Sequence, residues 1–190
     1  MRHDVVLERF NCRLRPVCLE DADFIIRVRT QERAAGKIGH TTTSISDQAA
    51  WISRYLEREN DYYWVIECVK TGMPIGAIGL YDFTQDGLEA MPGRWVMMPQ
   101  AEVSAMAPIF LMYGFAFESL GIRRLAISVM PDNRQILRFH EDLCGAHAVA
   151  VPERYVQAER ESGVHQRWFE FLFADWKRMK ADWTPILSSF

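Results

Sequence analysis

The stretch that decides the fold runs from Met97 to Ala146. It opens on Met97-Met-Pro-Gln-Ala-Glu-Val-Ser-Ala105, a polar loop broken by Pro99, and passes into an uncharged run that lasts to Phe117. Arg124-Leu-Ala-Ile-Ser-Val-Met130 then alternates in apolar character, as a strand does. Pro131-Asp-Asn133 breaks it, after which Ile136, Leu137, His140 and Leu143 recur at helical spacing up to Gly145. A strand, loop, helix and strand in that order make a crossover that pairs the two strands in parallel. Such a unit also presents backbone N–H groups at a helix start, where phosphate oxygens bind readily.

Working outward, Cys12–Pro16 alternates as a first strand, and residues 20–29 carry Phe24, Ile25 and Val28 on one helical face. Residues 34–43 form a Gly- and Thr-rich connection. Ser46 is placed as the N-cap of a second helix reaching about Glu59. Residues 62–69 and 75–83 flank Lys70-Thr-Gly-Met-Pro74 and form a hairpin. Residues 84–93 are taken as a polar loop and 94–98 as a strand. Residues 149–155 and 168–173 are taken as two further strands, and 174–183 as a closing helix. The expected order is β-α-α-β-β-β-α-β-α-β-β with that terminal helix. It gives one α/β domain over 1–190, with a mixed, mostly antiparallel sheet, helices on both faces and a helical extension over 174–190.

A chain of 190 residues suits one core. A formal net charge of −3 provides no field for gripping nucleic acid. The uncharged run at 103–117 is shorter than the about 20 residues needed to span a bilayer. The start, Met1-Arg-His-Asp-Val, lacks the apolar core of a signal peptide. Cys12, Cys18, Cys68 and Cys144 form no CxxC pair, so the chain is expected to be reduced and cytoplasmic. His140, Cys144 and His147 are acceptable metal ligands, but Gly145 interrupts them and no fourth ligand is evident, so no metal is expected.

These residues together resemble the GCN5-related N-acetyltransferase (GNAT) superfamily over about residues 14–173. The resemblance is carried by Leu14-Arg-Pro16 with Glu20-Asp21, Ile75-Gly-Ala-Ile-Gly-Leu-Tyr81, the segment 95–105, Leu120-Gly121, Asn133, and Phe139-His-Glu141 before Gly145. The combination is similar to members that serve sugar-modifying and surface-polysaccharide pathways. What it implies is a sheet whose fourth and fifth strands splay apart around the pantetheine arm of acetyl-CoA, the co-substrate. Trp95 to Met98 would supply the strand edge, with Val96, Met97 and Met98 as cofactor-binding residues. Ala101, Glu102, Val103, Ser104 and Ala105 would supply the pyrophosphate loop, and Asn133 would bond the arm. The sequence departs from the family loop at Val103, which stands where the pattern has Gly, and a β-branched residue is poorly suited to positive φ. Pro108 limits how far upstream the helix extends, leaving the amides of 103–107 for a ligand.

His140 stands near the point where the superfamily often has Tyr, and is the candidate for protonating the departing thiolate; a hydrogen-bonded core histidine is the competing role. Asn133 has a competing role as a helix N-cap. Tyr81 and Trp95 could form an acceptor wall. No general base stands out among Asp82, Glu89 and Glu67. The aromatic tail, with Trp168, Phe169, Phe171, Phe173 and Trp176, is expected to pack as strand and helix, with a cover over the acceptor or a homodimer interface as alternatives. The leading expectation is acetyl transfer to a small-molecule amine, with an amino sugar on a nucleotide preferred by resemblance. Acetylation of a protein N-terminus or an antibiotic amine is the second, and a non-catalytic acyl-CoA-binding domain the third.

Overall fold

The computed structural model describes residues 3–32, 41–99 and 103–189. Among these residues, eight strands form one sheet: β1 (Leu7–Arg9), β2 (Cys12–Pro16), β3 (Tyr62–Cys68), β4 (Pro74–Tyr81), β5 (Glu89–Met97), β6 (Arg124–Val129), β7 (His147–Val149) and β8 (Arg167–Leu172). Their spatial order is β1-β2-β3-β4-β5-β6-β8-β7. Every neighbouring pair is antiparallel except β5 and β6, which are parallel. The helices are α1 (Ala22–Thr30), α2 (Ile45–Tyr55), α3 (Met106–Gly114), α4 (Arg134–Arg138), α5 (Glu153–Ser162) and α6 (Phe173–Leu187). The crossover from β5 through α3 to β6 is the one expected around Met97–Ala146. Because β1 precedes the expected first strand, the splayed pair is β5 and β6.

Period-two alternation explains why the central strands hold both helical layers. In β3, Trp64 and Ile66 enter the core beneath α3 and α6, whereas Tyr63 and Val65 enter the core beneath α1 and α2. Ile78 and Leu80 of β4 join the first core and Ala77 joins the second. Each fully buried large apolar side chain contributes roughly 1.5–3 kcal/mol. The aromatic tail packs as expected: Phe169 and Phe171 of β8 and Trp176 of α6 lie in the first core, with Phe110 and Trp176 ring centroids 5.0 Å apart.

Several expected boundaries move. The cap of α2 is Ser44, not Ser46: the Ser44 hydroxyl accepts from the Asp47 amide at 3.2 Å. The strand placed at 94–98 begins at Glu89, so much of the expected loop at 84–93 is sheet. The strand placed at 149–155 is corrected: β7 ends at Val149, and α5 begins at Glu153 with Pro152 in the N-cap position. The closing helix extends to Leu187.

The segment after α4 is a π-turn, Phe139–Cys144, closed by Gly145 at φ +71, whose amide reaches back to the His140 carbonyl. This wider turn absorbs one extra residue. It buries His140 and Cys144 and leaves Leu143, expected on the apolar stripe, 48% exposed.

Candidate active site

β5 and β6 pair only at Glu89 with Arg124 and Ala90 with Leu125. Beyond those residues β5 continues to Met97 along β4, while β6 continues to Val129 along β8. The parting has a local cause. Gly79 faces Gly93, but Ala77 faces Val96, so β5 carries one residue more than β4 across that interval. Arg94 sits within this bulge at φ +53. A bulge bends its strand and re-aims side chains. The space between the parted strands is a cavity of about 600 Å³, lined by residues 92–95 of β5, 127–130 of β6 and its end, and Asn133, Ile136 and His140 on the far side. Ser162, which ends α5, and Val164 and Gln166 beyond it close another wall.

Four of the predicted residues meet there: Tyr81, Trp95, Asn133 and His140 all line the cavity. Asn133 occupies the N-cap position of α4 but its side chain makes no capping hydrogen bond. Val96 does not line the cavity; it packs into the core beneath α1 and α2. The Met97 carbonyl accepts from Gln31 Nε2 at 2.9 Å, and the Met98 amide donates to the Ile75 carbonyl at 2.7 Å. The part of β5 facing the cavity is therefore Gly93–Trp95, which shares only Trp95 with the expected Trp95–Met98.

Ala101 and Glu102 lie outside the described residues, as does Gln100. Val103 is buried in the main core. The expectation that all amides ahead of Pro108 stand free is corrected. Ser104 closes the start of α3 itself, its carbonyl accepting from the Ala107 amide at 3.0 Å and its hydroxyl from the Met106 amide at 3.3 Å. Among the described residues, no hydrogen bond is made by the Val103, Ser104 or Ala105 amides, with Ala105 at the N-cap position. Pro108, in the first turn, has no N–H to satisfy.

The acetyltransferase (GNAT) domain family matches residues 11–146. This chain belongs to that family. Among solved structures, ligand-free FdhC, described as a nucleotide-linked sugar GNAT, is 26% identical with a TM-score of 0.81, covering 97% of this chain and 99% of its own. A GCN5-related N-acetyltransferase from Brucella melitensis is 17% identical with a TM-score of 0.79, covering 97% of this chain and 86% of its own. A variant of the spermidine N-acetyltransferase SpeG from Vibrio cholerae is 16% identical with a TM-score of 0.68, covering 88% and 97% respectively. The last two show likeness of fold alone. No curated protein matches the chain in sequence.

GNAT enzymes use acetyl-CoA as co-substrate, and two residues that line this cavity carry an unsatisfied polar atom. Trp95 Nε1 and His140 Nδ1 are both buried, with no hydrogen-bond partner among the described residues. An unpaired buried donor or acceptor costs roughly 1–3 kcal/mol, so each is a place where a bound molecule gains. Burial alone lowers the His140 pKa to about 4. The imidazole, between Phe139 and Phe169, is therefore neutral near pH 7.

Among the described residues, the lining includes Arg29 and Arg94 and no carboxylate. Each candidate base is engaged elsewhere: Asp82 accepts from the Tyr155 hydroxyl at 3.3 Å, Glu89 pairs with Arg154 at 2.6 Å and with Arg124, and Glu67 pairs with Arg15 at 2.7 Å. His147 meets Asp175 at 3.1 Å, and among the described residues no three potential metal ligands converge. Among the described residues, no helix is long and apolar enough to cross a membrane.

Sequence reading missed the arginines. Arg29 lies in the last turn of α1, where a cation is ordinarily assigned to the helix dipole, and Arg94 is turned by a bulge that periodicity does not reveal.

Proposed function

We propose that this chain transfers the acetyl group of acetyl-CoA to the amine of an anionic small molecule, an amino sugar carried on a nucleotide. The observation that carries this reading is the cavity with two arginines and, among the described residues, no carboxylate in its lining. A cationic surround disfavours an ammonium, so it lowers the pKa of an incoming amine and favours the unprotonated nucleophile without a dedicated base. The same field repels a polyamine and attracts a phosphate-bearing acceptor. The likeness to FdhC, a nucleotide-linked sugar GNAT, supports the same choice.

In this reading the amine nitrogen bonds to the thioester carbon, the carbon–sulfur bond breaks, and the nitrogen loses a proton as the sulfur gains one. Trp95 donates its indole N–H to the bound substrates, and Asn133 offers its amide from the start of α4. Val103, Ser104 and Ala105 offer backbone N–H groups to the diphosphate of the co-substrate. His140, neutral, donates a hydrogen bond to the departing sulfur; as an imidazolium with a pKa of about 4 it would be scarcely populated at neutral pH. Residues 1–190 act as one acetyltransferase domain with 174–190 as its helical extension.

The test is thiol release from acetyl-CoA across nucleotide-linked amino sugars, free amino sugars, spermidine and peptide N-termini. The expected order places nucleotide-linked amino sugars highest in kcat/KM. A preference for spermidine would overturn the reading.

A further inference from the structure

A second pocket, of about 310 Å³, lies where α1 and α2 meet the sheet. Arg29 and Arg94 line it as well as the cavity between β5 and β6, so the two spaces adjoin. Arg54 joins them from the last turn of α2. Among the described residues, the lining sets three guanidinium groups against one carboxylate, Asp47. Asp61 pairs with Arg94, and counting it as well still leaves positive charge in excess.

The cations differ in how they are held. Arg29 donates from Nε to the Thr41 hydroxyl at 2.7 Å and lines the pocket with the buried Tyr63. Arg94 is fixed by Asp61 and by the Tyr81 ring, whose centroid lies 4.2 Å from the guanidinium carbon. Arg54 is exposed and makes no ion pair among the described residues. Gln48 lines the same pocket at 6% exposure, and among the described residues its side chain makes no hydrogen bond. Trp51, stacked on Tyr55 with centroids 5.8 Å apart, adds a flat aromatic wall.

We infer that this pocket is the phosphate subsite of the acceptor. It holds the diphosphate of a nucleoside-diphosphate-linked amine, while the amine passes Arg29 and Arg94 into the cavity beside Trp95. The Arg54 fork, in no ion pair among the described residues, can match phosphate oxygens two at a time, Arg29 and Arg94 add positive charge, the Gln48 amide supplies a further donor, and Trp51 offers a face to a ring. The inference rests on the acceptor class proposed above, and adds where its charge is read.

The experiment uses the full chain saturated with CoA, so that the co-substrate site is filled. Uridine diphosphate and inorganic pyrophosphate are titrated in by calorimetry against the wild type, Arg54→Glu and Arg54→Lys. Binding to the CoA-saturated protein is expected, weakened at least about tenfold by Arg54→Glu and largely kept by Arg54→Lys. The KM for a nucleotide-linked amino sugar is expected to rise by the same factor in Arg54→Glu, with the KM for acetyl-CoA as the internal control. Competition between the diphosphates and CoA, or binding indifferent to Arg54→Glu, would overturn the subsite. Acetylation of nucleotide-linked amino sugars without any Arg54 dependence would sink the subsite and keep the acceptor class. Arg54-dependent diphosphate binding without turnover of such sugars would do the reverse.

Discussion

The Tyr81 hydroxyl fills the space a side chain at Gly93 would need: a Cβ built there lies 2.3 Å from the oxygen and 3.1 Å from the ring carbon bearing it. Both residues line the cavity, so the contact sets its width at the start of the β5 bulge. Gly93→Ala is expected to force Tyr81 aside, costing about 1–3 kcal/mol of stability and lowering turnover. Tyr81→Phe in the same chain should recover part of the loss, since only the oxygen contact goes. Denaturant unfolding of the four members of the cycle checks this, with an expected coupling of about 1 kcal/mol; strict additivity would mean the ring moves freely.

Arg94 reaches back over the sheet to Asp61, donating from both terminal nitrogens, with one bond at 2.8 Å. The pair is largely buried, 16% and 9% exposed, beneath Tyr63 and Tyr81. Removing one charge strands the other. Asp61→Asn is expected to destabilise the fold on the order of 3 kcal/mol by chemical denaturation, well beyond the loss of an exposed pair. A change below about 0.5 kcal/mol would show that Arg94 swings into solvent when released.

How far the sequence could be read follows from which signals are local. The β5–α3–β6 crossover was legible because Pro99, the uncharged helix and the alternating strand follow one another with little ambiguity. Four of the residues marked from sequence, Tyr81, Trp95, Asn133 and His140, line one cavity. The start of β5 was not legible: Pro92 and Gly93 read as turn chemistry, and only pairing with β4 holds them extended. α5 was hidden by Val149, Val151 and Tyr155, whose β propensity gives way to a helix held to the loop after β4 by Arg154 on the Asp82 carbonyl at 3.0 Å. Arg29 and Arg94 come together only through tertiary structure, since one ends a helix and the other sits in a bulge. The occupied amides at Met106 and Ala107 depend on Ser104, a self-capping contact that the sequence offers as one option among several.

Trp95 carries a buried indole N–H with no partner, and its ring is held 4.9 Å from that of Phe139. Trp95→Phe keeps an aromatic ring and removes the donor. If that donor serves the substrates, kcat/KM should fall about tenfold, the worth of one hydrogen bond. Steady-state kinetics with each substrate varied in turn will show which one it serves. Unchanged kinetics for both would leave the N–H as an unpaid packing cost.

His140 offers a prediction in which structure and catalysis separate. Its folded pKa of about 4 lies below the ordinary histidine value of 6.5, and burial is the cause. Between those values the unfolded chain binds a proton that the folded chain refuses, so stability falls as pH drops from 6.5 towards 4, by on the order of 3 kcal/mol in total. His140→Phe should flatten that limb of the stability profile, measured by denaturant unfolding at a series of pH values. The same variant should lower turnover at pH 7.5 while leaving acetyl-CoA affinity nearly intact, because the imidazole is proposed to act on the sulfur as it leaves. A flattened profile with unchanged turnover would assign the ring to packing against Phe139 and Phe169 alone. A profile unchanged from wild type would show instead that the imidazole is open to water in the folded chain, and with that its neutrality at the sulfur would be lost.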